Sequence, residues 1–453
     1  MNYLTNPTIN RMNYFYKTLS LLCFSLCWLQ LSPTFAQQKD EKLEQATLEN
    51  VVAYAIKHQP LIQQSQIDEE ATNSAIRGKL ADWYPQVNLV YNYQRNVQLQ
   101  TVITSFGAFR SGTNNISSPQ IYATQNLFNR DVLLASRTAS DVRTNAVQTT
   151  LSRKIDLTVS VTKAFYDVLA TMQQIKVGQG DVIRLKQSLK TAHDQYEGGI
   201  VDKTDYKRAT IALSNTQAVL KSNQEILKSK LENLKTYMGY PTDGELNIVY
   251  DTLQMENEIA IDTTQQVDYS QRIEYKLYQT LHNLQEANVK YNQWSYLPTI
   301  TAYGYYINYY YNNNLSELYN KTYPNSYFGA TLTLPLFQGG KRAANIKQQK
   351  WLLQRLDWDI ANLKNVVNSQ YTQTLATYKS YLIAYQTLKQ NVELAKEVYE
   401  VIQLQYKSGV KSYLEVITAE TDLRNARINY FNALYSVLAS KIDVQKALGQ
   451  INY

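Results

Sequence analysis

The chain has 453 residues, 18% of them charged and 44% hydrophobic, with a formal net charge of +7. That balance describes a folded, mostly polar protein, too long for one ordinary small core, and it excludes a collagen-like chain. The basic charge is dispersed, with no block of five like charges, so the stripe that nucleic-acid binding needs is missing and no nucleic-acid partner is expected.

The first segment places Lys17 before the apolar run TLSLLCFSLCWLQLSPTFAQQ, with small residues at Thr34 and Ala36. A cation, a short apolar run and small residues predict a secretory signal over 1–36, cleaved after Ala36. The run is too short to span a bilayer. Cys23 and Cys27, the two cysteines of the chain, both fall inside it, so disulfides and cysteine metal sites are excluded beyond it. Neither cysteine has the surroundings of a lipidation site, and no later window holds eighteen consecutive apolar residues.

A first helix is predicted over about Thr47–Trp83. A hairpin follows over 85–128, where Val87, Leu89, Tyr91 and Tyr93 alternate with Asn88, Val90, Asn92 and Gln94. No proline lies between Pro119 and Pro241. That interval holds a very long helix, about Arg130–Tyr196, and a second helix after a glycine break, about Lys203–Met238. Residues 241–266 read as a connector of low regularity. The order then repeats: a helix over about Val267–Tyr296, a hairpin over 298–337, a long helix over about Lys341–Tyr406 and a last helix over about Tyr413–Leu448. In the second hairpin Phe328, Ala330, Leu332 and Leu334 alternate with Gly329, Thr331, Thr333 and Pro335. Ile300, Ala302, Gly304 and Tyr306 alternate less cleanly, because Tyr303, Tyr305, Tyr309 and Tyr310 fill the other face. Tyrosine-rich strand ends suit a water–lipid boundary.

The halves superpose. Tyr196 falls on Tyr406, Gly199 on Gly409, Ala209 on Ala419, Leu213 on Leu423, Asn215 on Asn425 and Gly239 on Gly449, at a constant offset of 210. One unit is therefore written twice, as 37–240 and 267–453, and the pattern is not a short-period solenoid. Ile155, Thr158, Thr162, Phe165, Leu169 and Met172 step by three and four, as do Leu388, Val392, Ala395, Tyr399, Ile402 and Tyr406. Such seams want partner helices, and helices of this length reach roughly 100 Å. Each strand is long enough to cross a bilayer when tilted. Four strands cannot stand alone in lipid, because their edges would leave backbone groups without partners. Copies from other chains must close them, and three protomers give a twelve-stranded barrel wide enough for a lumen.

YKSGVKSYLEVITAE (from Tyr406), its earlier counterpart YEGGIVDKTDYKRA (from Tyr196) and LPLFQGGKR (from Leu334) resemble the TolC-like outer-membrane efflux protein family. The resemblance runs from about Leu43 to Gln450. It implies a mixed α/β membrane protein: a homotrimer with a twelve-stranded barrel in outer-membrane lipid and an α-helical coiled-coil tunnel in the periplasm. It implies partners as well, a periplasmic adaptor joined to an inner-membrane transporter. The turns at Gly198-Gly199 and Ser408-Gly409 would form the periplasmic tip, making Tyr196, Gly198, Gly199, Tyr406, Ser408 and Gly409 candidate docking residues. Plain turn chemistry explains the same glycines, which end helices tightly at positive φ. The family also closes its tunnel at this tip with acids. By position Glu415 falls on a constriction acid, Asp205 on a partner acid and Lys411 on a basic residue linking the hairpins. Thr418 stands where many relatives carry a second acid. A competing reading makes Ser412-x-x-Glu415 a capping box, with Lys411 to Glu415 a favourable i,i+4 pair.

His58, His193 and His282 are scattered, and no phosphate loop, methionine cluster or nucleophile constellation appears. No cofactor is expected, and the chain does not read as an enzyme. The leading expectation is a passive exit duct for a drug-efflux or type I secretion machine. A periplasmic coiled-coil spacer without a pore and a stand-alone diffusion porin are the alternatives.

Overall fold

The computed structural model describes residues 43–452, and the expected signal over 1–36 lies outside them. Proline decides the first departure from expectation. The first predicted helix is two, α1 (Leu48–His58) and α2 (Pro60–Leu80), because Pro60 ends the first and opens the second at its N1 position. A 3₁₀ turn, Ala81–Trp83, then leads to Tyr84, which is extended at φ −85° and ψ 158°. Leu297 repeats that conformation after the second 3₁₀ turn, at φ −83° and ψ 151°. Each precedes a proline, Pro85 or Pro298, whose ring disfavours the helical region for its neighbour. The same device thus turns helix into strand in both halves.

Strands β1 (Gln86–Arg95) and β4 (Asn115–Phe128) enclose an unexpected ribbon, β2 (Gln100–Thr104) with β3 (Gly107–Ser111). This ribbon lies between the two strands expected of the 85–128 hairpin. The next elements are α3 (Arg130–Glu197) and α4 (Lys203–Met238). The connector is less irregular than expected, since it holds α5 (Thr252–Asn257) and a 3₁₀ turn at Tyr269–Gln271. Then come α6 (Ile273–Gln293), β5 (Thr299–Asn312), β6 (Tyr323–Thr333), α7 (Lys341–Lys407) and α8 (Tyr413–Leu448). The helix predicted over about Val267–Tyr296 therefore starts later than expected, and β6 stops before Leu334.

The four long strands make one antiparallel sheet in the order β1-β4-β5-β6. Pro119 lies inside β4, and the ladder to β5 steps from Ser117↔Tyr310 to Gln120↔Ile307 across it, since proline donates no backbone hydrogen bond. The register separates two faces. Val87, Leu89, Ile121, Tyr306 and Phe328 share one. It is uncovered in the protomer: Leu89 is 73% exposed and Phe328 93%. Asn88, Gln120, Tyr122, Thr301, Tyr305 and Tyr327 share the other. Tyr303 and Tyr309 lie on this second face, whereas Tyr310 lies on the apolar one, because residue parity and not residue type sets the side. The tyrosines of the polar face run along β5 instead of gathering at strand ends. On the apolar face Tyr91, Tyr310 and Tyr319 do gather at one end, where Tyr91 and Tyr319 join hydroxyls at 2.5 Å.

The helices pack as α3 with α4, α7 with α8, and α3 across α8. Thr158, Thr162, Phe165 and Leu169 of the first predicted seam are buried, as is Tyr399 of the second. Polar bonds tie α3 to α8 along their length: Lys163 to Asp443 at 2.6 Å, Lys446 to Asp156 at 2.6 Å and Gln174 to Asn432 at 2.9 Å. The connector is pinned to this bundle. Tyr378 donates to the Ile259 carbonyl at 2.9 Å, and buried Arg272 donates to the carbonyls of Lys446 and Ala447 at the end of α8. A cation suits that position, where helix carbonyls lack partners.

Phe165 is fully buried on the α3 seam. Phe165→Ala is expected to cost about 3–5 kcal/mol through lost transfer energy and a residual cavity, read as a lower melting temperature of the helical signal in circular dichroism.

Candidate functional site

The two ends of the long helices are built alike. After α3, Gly199 takes φ +72°, and the N–H groups of Gly199 and Ile200 bond to the carbonyls of Tyr196 and Gln195 at 3.0 and 2.9 Å. After α7, Gly409 takes φ +77°, and Gly409 and Val410 bond to Tyr406 and Gln405 at the same distances, 3.0 and 2.9 Å. This nested pair of bonds is the usual way to close a helix on a left-handed glycine. Each turn is followed at once by a capped helix. Asp202 accepts from Thr204 N–H at 3.1 Å at the start of α4. Ser412 is the N-cap of α8, and the Glu415 carboxylate accepts from Ser412 N–H at 2.9 Å and from its hydroxyl at 3.1 Å. The capping reach of Glu415 is therefore made.

Glu415 is also paired with Lys411 at 2.6 Å. That cation, first, and the Ser412 backbone N–H, second, hold the Glu415 carboxyl down at about 2. Its charge is present at all pH values above the ordinary carboxylate range and is lost only as pH falls through about 2. Within the chain Lys411 is thus spent on its own hairpin and does not reach the first one. Asp205 faces Arg208 at 3.8 Å on α4.

Other groups join the hairpins. The Tyr406 hydroxyl donates to Gln195 Oε1 at 2.5 Å. Burial and nearby Asp205 push its phenol up. Tyr196 has a different setting, half-exposed and stacked on Tyr206 with ring centroids 6.4 Å apart. Ala192 of α3, Ala209 of α4 and Tyr413 and Val416 of α8 form an apolar knot beneath the turns, with Tyr406 against it. Further along, Arg184 of α3 bonds Asp181 on its own helix and Glu420 of α8, the latter at 3.4 Å. Asp181 is 1% exposed and Glu420 4%. Burial pushes the Glu420 carboxyl up, against the pull of Arg184. Sequence reasoning missed this cluster. Nothing in the sequence pairs Asp181 and Arg184 with Glu420, which lies on a helix of the other half.

Among the described residues no group of three or more His, Cys, Asp or Glu could hold a metal ion, and no helix is long and apolar enough to cross a membrane. The chemistry on view is that of turns, caps and ion pairs at the end of a long helical bundle, with an antiparallel sheet that exposes an apolar face. Those features describe a subunit whose sheet has an apolar face that the described residues leave uncovered. A family model described as outer membrane efflux protein matches residues 51–240 and 277–450. The chain belongs to the outer membrane efflux protein family. It is 22% identical to the outer membrane protein TolC of Vibrio cholerae over 395 residues, 84% of this chain and 86% of that one. It is 21% identical to TolC of Escherichia coli over 410 residues, covering 87% and 80%. Among solved structures, VceC of Vibrio cholerae shares the fold at a TM-score of 0.71 and 13% identity, over 89% of this chain and 96% of that one. CusC does so at 0.72 and 15%, over 88% and 91%. The protein is thus an outer-membrane protein whose helices occupy the periplasm.

Gly409→Ala places a side chain at positive φ and is expected to cost about 1 kcal/mol. The cost should appear as faster amide hydrogen exchange at Gly409 and Val410 positions, with the α3 seam unchanged.

Proposed function

We propose that the chain forms a homotrimeric exit duct through which a tripartite efflux pump or type I secretion machine discharges across the periplasm and the outer membrane. One observation carries this reading: the sheet has two free edges, β1 and β6, and an uncovered apolar face. Such a sheet is stable in lipid only when closed by other copies. Three copies give twelve strands, with the apolar face outward and the polar face toward a lumen. In this reading residues 37–240 and 267–453 are two repeats joined by 241–266, and the bundle of long helices continues the lumen below the barrel.

The tip is the proposed point of contact and of closure. Tyr196, Gly198, Gly199, Tyr406, Ser408 and Gly409 dock onto a periplasmic adaptor, whose inner-membrane transporter supplies the energy. Glu415 both caps α8 and places a carboxylate at the pore mouth, with Asp205 and Lys411 completing the charged group. Three symmetry-related Glu415 carboxylates favour cations. Thr418 leaves this ring single.

The experiment is single-channel conductance of the protein in planar bilayers, wild type beside Glu415→Ala. A small cation-selective conductance that rises in the variant is expected. A conductance indifferent to the substitution reduces Glu415 to a helix cap, and none from an inserted, folded protein removes the duct.

The pH profile gives a second check. Cation selectivity should persist as pH is lowered and fade toward about 2, where Glu415 takes its proton. In Lys411→Met the midpoint should move up toward the ordinary glutamate value of 4.5, because the largest lowering contact is gone.

A further inference from the structure

We infer that the polar face of the sheet carries a stacking site for planar aromatic cargo, built by Tyr303, Tyr305 and Tyr327 around Gly329. The inference rests on the barrel reading above, which turns this face to the lumen, and it adds to that duct a place where a class of molecule is held.

Tyr303 and Gly329 are direct cross-strand partners, as are Tyr305 and Tyr327. The Tyr303 ring lies down over the glycine: a Cβ at Gly329 would fall 2.7 Å from Tyr303 Oη and 2.8 Å from its Cζ. Only a residue without a side chain lets the ring rest there. Tyr305 and Tyr327 stack on each other, centroids 5.0 Å apart and planes within 20°. Tyr303 meets these two rings at 66° and 78°. A floor ring therefore meets two upright rings close to a right angle. A planar aromatic molecule laid on Tyr303 gains an offset stack from the floor and an edge-to-face contact from the wall, the two arrangements that aromatic quadrupoles prefer.

The electrostatics point to the same cargo. The four strands carry a single charged residue, Arg95, which ends β1 and shares the parity of the apolar face. The wall around the corner offers phenolic hydroxyls and amides but no ion partner. It has nothing with which to hold an anion, while its ring faces accept a planar aromatic ring that is neutral or cationic.

The test titrates the detergent-solubilised protein with neutral 4-nitrophenyl β-glucoside by saturation-transfer NMR. Methyl β-glucoside serves as the counterpart without a ring, and conductance is measured on the same preparations. The nitrophenyl compound should bind and the methyl compound should not at equal concentration. Tyr303→Leu removes the floor, and Gly329→Ala lifts it. Each should weaken binding roughly three- to tenfold, the worth of one aromatic contact, with conductance unchanged, while Tyr303→Phe keeps the affinity. Equal signals from both compounds, or an affinity indifferent to both substitutions, overturns the site. Ring binding in an inserted protein that conducts nothing leaves an aromatic surface site but removes the duct, and the cargo role falls with it.

Discussion

The unmet backbone groups along β1 and β6 constrain everything else in this molecule. Each outer strand has a partner on one side only. In hydrocarbon there is no water to complete the other side, and each orphan costs several kcal/mol. The alternation of side chains suits the same setting, with aliphatic and aromatic residues on the uncovered apolar face and amides, threonines and tyrosine hydroxyls on the other. In the proposed trimer the helices inherit this symmetry, since α3 begins two residues after β4 ends and α7 eight residues after β6.

The helical half is held together by a different economy. Helix α3 packs on α4 and α7 on α8, while spaced polar bonds add to the packing of α3 across α8. Near the tip the tie becomes a buried charge cluster of Asp181, Arg184 and Glu420. Removing one member of such a group strands a buried charge, which is costly, although an apolar contact of equal size would hold the two helices as well. The tip turns beyond it have no comparable anchor. They rest on a small apolar knot, on the Tyr406–Gln195 hydrogen bond and on the contacts of Glu415 within its own hairpin.

Helix ends governed by glycine were the most legible features of the sequence. Lys203–Met238 and Tyr413–Leu448 agree with the structure at both ends, because a cap residue opens each helix and a left-handed glycine, Gly239 or Gly449, closes it. Strand parity was legible where the two faces differ in polarity, as in β1, and failed in β5, where tyrosine occupies both. The span Thr47–Trp83 reads as one helix only if Pro60 is overlooked, because a proline at N1 ends one helix and opens the next without leaving helical conformation for long. The β2–β3 ribbon was hidden because its mixture of glycine, serine and threonine also suits a loop. The Arg184 cluster was out of reach for a different reason: Glu420 lies more than two hundred residues from Asp181 and Arg184, and only tertiary packing makes them neighbours. The tip residues themselves were found by resemblance, and the sequence left the cap and pore-mouth roles of Glu415 unresolved. The structure makes the capping contacts explicit.

The matching lengths of the elements have a consequence for how such a chain can change. Helices α4 and α8 are each 36 residues long, and α3 and α7 are 68 and 67. In a helix one inserted residue turns everything after it by about 100° and advances it by about 1.5 Å. An insertion within α7 would swing its buried seam away from α8 and carry the tip around the axis at the same time. Length here is quantised. Residues can be gained or lost freely where the chain loops beyond the sheet, as at the β2–β3 ribbon. Along the helices only steps that restore the angular phase, such as seven or eleven residues taken together in paired helices, leave the seams facing one another.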